Sequence, residues 1–176
     1  SEYRRDCENS NAALLVSMTP DDFGSDSALA GFELQRKIEE AGYSLFGDYI
    51  APSERLDGFM RGECVASDSV KPSYQRGTAT APLEKYLPAS VTDSLRAAMV
   101  DFDSWLGGYM YPGAALTGPE TRSTSPVHIL RGEDMSAVGI LGLYPIGEGA
   151  GYAGGIVSSA TDGVICAETI LKKSSN

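Results

Sequence analysis

With 176 residues, 24 acidic side chains against 14 Lys and Arg, and a formal net charge of −10, the chain is sized for one domain, or one and a piece of another. That charge opposes a phosphate backbone or an anionic membrane surface, and the basic residues are scattered rather than clustered, so neither nucleic acid nor membrane is an expected partner. No apolar run approaches the ~20 residues of a membrane span, and Cys7, Cys64 and Cys166, an odd set without a CxxC pair or a secretory signal, predict reduced thiols in a cytoplasmic protein.

The start, Ser1-Glu2-Tyr3-Arg4-Arg5-Asp6, has neither an initiator Met nor a signal-like apolar core and reads as cut. Residues 12–18 form a short apolar run ended by Thr19-Pro20-Asp21-Asp22, which predicts a buried strand and a turn. Ala30, Leu34, Ile38, Ala41 and Leu45 recur at three and four residues, predicting an amphipathic helix from Ser25 or Asp26, with Gly42 as its weak point. Leu56, Phe59 and Met60 predict a short helix closed by Gly62, with Pro52 in its first turn. Residues 65–82 carry Ser, Thr, Asp, Lys, Pro and Gly without a period and read as a long loop, and residues 83–87 as one helical turn before Pro88. The cleanest helical stripe is Val91, Leu95, Ala98, Met99, Phe102 and Leu106, capped by Ser90 or Ala89 and stopped by Gly107-Gly108.

Further on, Val127-His128-Ile129-Leu130-Arg131 alternates like a strand, and residues 140–146 are almost all apolar, as suits a strand buried on both faces. Glycine-rich residues 147–155 follow, then a helical stripe of Ile156, Ala160, Val164, Ala167 and Leu171 and a frayed Ser174-Ser175-Asn176 tail. The elements sum to an α+β chain with helices on a mixed sheet. His128, the single histidine, would have to carry any histidine-based zinc site or Ser-His-Asp triad alone, and its place in an apolar alternating run favours a hydrogen-bonded strand residue.

Gly149, Gly151 and Gly154 satisfy GxGxxG, the spacing that lets a backbone turn tightly and aim helix N-terminal amides at a pyrophosphate. The pattern alone is weak. A complete dinucleotide-binding unit needs a second strand after the helix and an acidic residue about 20 residues on. Glu168 stands near that distance, yet within the helical pattern, so the motif reads as the last strand and helix of a sheet whose other strands lie elsewhere.

The run Gly142-Leu143-Tyr144-Pro145-Ile146-Gly147-Glu148-Gly149-Ala150-Gly151-Tyr152-Ala153-Gly154-Gly155 and its continuation to Gly163 closely resemble the C-terminal signature of bacterial NAD(FAD)-utilizing dehydrogenases. Glu120-Thr121-Arg122-Ser123-Thr124-Ser125-Pro126-Val127 is similar to that family's ETRTSSPVRI run, and Arg5-Asp6 with Asn9-Ser10-Asn11-Ala12-Ala13-Leu14 to its RDGxNANSAL stretch. The resemblance covers nearly the whole chain, the middle loops least. It implies an FAD-dependent oxidoreductase passing hydride equivalents from NAD(P)H or another donor to an acceptor, with the first GxGxxG in an N-terminal ADP-binding part that this chain lacks. Residues 1–125 would be an inserted, substrate-side domain. Residues 126–176 would be the C-terminal strand and helix of a split, Rossmann-like FAD domain, and the chain alone would be inert.

By the same resemblance, Gly147, Glu148, Gly149, Gly151, Tyr152, Ala153, Gly154 and Gly155 would contact the cofactor, with Glu148 accepting from ribityl or ribose hydroxyls and Tyr152 beside the isoalloxazine ring. A carboxylate at a helix N-terminus is also stabilised simply by the dipole, and tight turning and close helix packing need only one or two of the glycines. Arg122 is a candidate for an anionic substrate group or a nicotinamide phosphate, as its planar donor fork suits both; a structurally paired arginine fits equally. His128 stands where the family pattern has arginine, which removes a charge-based role there, and Arg36 receives none. A stand-alone glycine-loop module binding a phosphate or peptide, and a purely structural interaction domain, remain open. Loss of a sheet partner would leave residues 140–146 uncovered, so self-association of the chain is expected.

Overall fold

The computed structural model describes residues 3, 4 and 6–174. Arg5 of the Arg5-Asp6 pair, the first two residues of the chain start and the last two of the expected frayed tail lie outside them. Among the described residues the chain is α+β, with four α-helices and a three-stranded sheet. It divides into two compact units, one of Ser1–Met18 and Arg36–Thr121, the other of Thr19–Gln35 and Arg122–Asn176.

The first unit is built on strand β1 (Ala51–Arg55), which pairs in parallel with β2 (Thr78–Thr80) and antiparallel with β3 (Ala115–Thr117). The sheet is thus mixed, as expected, but its strands are not the apolar runs. Ser53 at its centre lies opposite Thr80 on one side and Thr117 on the other, and its hydroxyl donates to the Leu116 carbonyl at 2.9 Å. Pro52 belongs to β1 and not to the first turn of the following helix, and the loop expected over residues 65–82 contains β2. Helix α2 (Leu56–Arg61) starts directly after β1 and ends at Gly62, whose left-handed backbone lets its amide cap the Gly58 and Phe59 carbonyls.

Helix α3 (Ala89–Trp105) presents Leu95 and Met99 to a core completed by Leu56, Phe59, Leu83 and Tyr86. Phe59 is wholly buried, which contributes roughly 1.5–3 kcal/mol of hydrophobic free energy. Pro88, rather than Ser90 or Ala89, holds the N-cap position, and the helix gives out at Leu106, one residue before the expected glycines. The expected turn over residues 83–87 is a 3-10 helix, Leu83–Lys85. Its first amide donates to the buried Glu54 carboxylate at 2.7 Å. Burial pushes the Glu54 carboxyl above the usual carboxylate range, while that amide opposes the shift. Residues 12–18 do not form a strand; Leu14 and Val16 pack against the core from a segment without regular structure.

Helix α1 (Ala30–Ser44) runs through Gly42, with residues 30–35 in the second unit and 36–44 in the first. It begins later than the sequence predicts. The Ser25 hydroxyl accepts from the Ser27 amide and the Ser27 hydroxyl from the Leu29 amide, local bonds that replace a first helical turn.

In the second unit a 3-10 turn, Pro20–Phe23, supplies the turn expected after residue 18. Asp22 closes it by accepting from the Thr19 amide and hydroxyl at 2.7 and 2.9 Å. The long helix α4 (Ile156–Ser174) buries only Cys166 among its described residues. The two strands expected ahead of it are absent. Residues 127–131 form no regular strand and make a single antiparallel bridge, between Arg131 and Ala137. Residues 140–146 form no strand: Gly139 and Gly142 take left-handed conformations, with φ of +80° and +77°. The Ala137 amide reaches back to the Leu143 carbonyl at 2.8 Å. An apolar strand needs partner strands on both sides, and the described residues of this unit provide none, so the run folds into turns and leaves Leu141 fully exposed.

Candidate functional site

The glycine segment is a compact turn directly before α4. Gly147 enters it with φ +69° and Gly151 leaves it with φ +84°. The Gly151 amide donates to the Glu148 carbonyl at 2.9 Å and the Tyr152 amide to the Gly147 carbonyl at 3.0 Å. At the helix start, the Ser158 hydroxyl accepts from the Gly155 amide at 3.2 Å, and the Ser159 amide donates to the Gly155 carbonyl at 2.9 Å.

The carbonyl edge of the turn is spent on the chain itself. Ser125 donates its hydroxyl to the Gly149 carbonyl at 3.1 Å, Ile129 its amide to the Ala150 carbonyl at 3.1 Å, and His128 Nδ1 lies 3.0 Å from the Gly151 carbonyl. His128 therefore has the structural, hydrogen-bonded role that its setting suggested, outside any regular strand. The amide edge is different. Among the described residues the amides of Glu148, Gly149, Ala150, Ala153 and Gly154 donate to no protein acceptor, and the exposed Glu148 carboxylate has no partner.

The glycines themselves separate by cause. A Cβ on Gly151 would lie 2.4 Å from the Val127 carbonyl oxygen and 3.0 Å from His128 Cα, so this glycine is required by the chain's own packing. A Cβ on Gly149 would meet nothing within 4 Å, and its φ is not positive. Gly154 would make only an ordinary 3.5 Å contact with Thr124. No contact within the second unit requires glycine at 149 or 154.

The remaining expected residues fall as follows. Tyr152 is held in place: its ring lies 4.2 Å from that of His128, the Arg131 guanidinium sits 3.5 Å from its centroid, and its hydroxyl donates to the Ile129 carbonyl at 3.0 Å. Gly147 offers no amide to a ligand, because that group donates to Asp162 Oδ2 at 2.8 Å. Ala153 is half-buried, Gly155 directly precedes α4, and Arg122 is exposed in the same unit. Among the described residues no cluster of His, Cys, Asp and Glu could hold a metal, and no helix is long and apolar enough to cross a membrane.

Arg131 and Asp162 escape sequence reasoning altogether. They pair in bidentate fashion at 2.7 and 2.9 Å, each side chain only about one-eighth exposed, and Arg131 also donates to the Pro145 carbonyl at 2.7 Å. The Arg131 fork, then the Gly147 amide, hold the Asp162 carboxyl below the usual carboxylate range. The partners are 31 residues apart, and no local period joins a residue outside any regular strand to one on the second turn of a helix.

The chain is 40% identical over 175 residues to an uncharacterized protein of Clostridium beijerinckii, across 98% of this chain and 33% of that protein. It thus spans about a third of the relative's length, and the glycine turn lies within the shared span. Residues 1–123 match the family described as FAD-dependent protein, C-terminal domain-like. With most of its 176 residues inside that match, the chain belongs to the C-terminal domain-like family of FAD-dependent proteins.

Proposed function

We propose that the chain is a segment of an FAD-dependent oxidoreductase of the NAD(FAD)-utilizing dehydrogenase type, and that its glycine turn supplies part of the flavin contacts. The observation that carries this reading is the amide edge of the turn: undonated amides of Glu148, Gly149 and Gly154 ahead of a long helix, in a member of an FAD-dependent family. Backbone donors without protein acceptors, backed by the positive end of a helix dipole, suit an electron-rich ligand edge. The exposed Glu148 carboxylate suits ribityl or ribose hydroxyls, which donate to it.

Bound flavin would supply the hydride chemistry, and the residues of this turn would hold and orient it. NAD(P)H is the proposed donor. On this reading residues 1–125 form the substrate-side insertion, residues 126–176 the last part of the FAD domain, and the ADP-binding part of the same protein is the partner of the chain. A purely structural turn is the competing reading, and Gly147 and Gly151 fit it, the first through its left-handed backbone and the second through packing as well. Gly149 separates the two readings.

The test is flavin binding by the complete protein and by the 176-residue chain. The complete protein is expected to purify yellow with near-stoichiometric FAD, Gly149→Val to lose flavin while remaining folded, and the chain alone to be colourless or nearly so. A colourless complete protein would remove the flavin reading. A chain that binds FAD stoichiometrically by itself would show that the site is whole rather than half.

A further inference from the structure

We propose that Arg131 and Asp162 are the positioning residues of the glycine turn: they fix which backbone amides it presents to the flavin. The inference rests on the reading of the turn as a flavin-contacting element and adds to it two side chains that touch no ligand themselves.

Asp162, on the second turn of α4, uses both carboxylate oxygens. Oδ1 accepts from Arg131 at 2.7 Å; Oδ2 accepts from Arg131 at 2.9 Å and from the Gly147 amide at 2.8 Å. The Arg131 nitrogen bound to Oδ2 also donates to the Pro145 carbonyl at 2.7 Å, and its guanidinium plane covers the Tyr152 ring at 3.5 Å. One ion pair therefore clamps the residue two before the turn, the first residue of the turn and the residue that follows it, all onto α4. Lysine cannot substitute, because a point charge offers neither the two-pronged match to a carboxylate nor a plane to stack on tyrosine.

The consequence for the turn is specific. Asp162 consumes the Gly147 amide and so removes it from the ligand-facing set, while Gly147 keeps the left-handed conformation that leads the chain into Glu148 and Gly149. The turn amides left over among the described residues are those of Glu148, Gly149, Ala150, Ala153 and Gly154, with Ala150 itself buried. If the clamp shifts, the Gly147 amide is released and the others rotate with it. Donors aimed at a ligand act through fixed orientation, so a small rotation is felt in binding and in the electronics of the flavin before it is felt in folding.

The experiment compares the complete protein with Asp162→Glu and Arg131→Lys. Both variants keep the charge; the first moves the carboxylate outward by one methylene, the second removes the fork. Each is expected to remain folded by circular dichroism and to weaken FAD binding by roughly tenfold or more, the scale of one charge-assisted hydrogen bond. A changed visible circular dichroism of bound flavin and a shifted reduction potential should accompany it, readouts that a merely structural role would not move. Folded variants that bind FAD as the wild type does, with the same flavin spectrum and potential, overturn the inference and leave the flavin reading standing. A wild type that binds no FAD overturns both. Should a variant fail to fold, hydrogen exchange on the wild type decides. The Gly147 amide should be protected with or without FAD, and the Gly149 amide only with it; a freely exchanging Gly147 amide overturns the clamp.

Discussion

Gly149 and Gly151 stand two positions apart in one GxGxxG pattern, yet they answer to different forces. A methyl group at 151 would collide with backbone at residues 127 and 128 and would hold a left-handed φ of +84°. Gly151→Ala should therefore cost about 2–4 kcal/mol, from the left-handed penalty and the forced shift together. Gly149→Ala meets open space and should change stability by less than about 0.5 kcal/mol. Thermal melts of the two variants check this, and equal losses would mean that the turn does not pack as described. Asp162 adds a pH signature. Its folded carboxyl is depressed by the Arg131 fork, so the stability it contributes is fully present above the unfolded value of about 3.9 and is lost as pH falls through the lower folded value. The second unit should weaken in that acid window, and Asp162→Asn should be less stable at neutral pH and lose less stability than the wild type through the same window, where Asp134 and Asp22 still titrate. Near-UV circular dichroism melts across pH 2 to about 6 test it, and parallel wild-type and variant curves would sink it. The sequence pattern marks all the glycines alike. What separates them is a contact with a segment some 20 residues earlier, which local spacing cannot express.

Among the elements, α3 shows what a local period can carry. Leu95 and Met99 of its predicted stripe are buried, while Val100 on the other face is more than half exposed. Met99→Ala should cost about 2–5 kcal/mol by emptying part of the core beside Phe59 and Leu56, and Val100→Ala should stay within about 0.5 kcal/mol. Urea denaturation of the pair measures the difference; similar midpoints would contradict the core assignment. Helices α1, α2, α3 and α4 were all legible because their hydrogen bonds close within a few residues and their apolar stripes repeat on that scale. The strands were not. Strand β1, Ala-Pro-Ser-Glu-Arg, has no strand-like composition and is a strand only because residues 78–80 and 115–117 pair with it. Residues 140–146 have the composition without the partners, and the glycines at 139 and 142 turn them aside. A β-strand is a property of at least two segments, so its own sequence is an incomplete predictor.

At the scale of the whole molecule the two units differ in how well they cover their apolar side chains. The first has a contiguous core around Phe59 and Met99, whereas the second buries mainly small or isolated residues, Ala30, Met135, Ala137, Ala150 and Cys166. Leu141 is fully exposed there, Ile156 is 91% exposed and Val157 78%, and Val138, Ile140 and Leu143 add to the uncovered surface. Exposed apolar area of that kind suits a contact surface, and on the proposed reading the rest of the FAD-dependent protein would cover it; the relative is about three times the length of this chain. The 176-residue chain alone should therefore self-associate and bind a hydrophobic dye, and the complete protein should do neither through this face. Light scattering after size exclusion, over a hundredfold range of concentration, measures it. If the second unit is instead sufficient as it stands, the chain will run as a monomer throughout. Leu141→Lys together with Ile156→Lys assigns the effect, since they should abolish self-association of the chain without unfolding the first unit, whose core they do not touch.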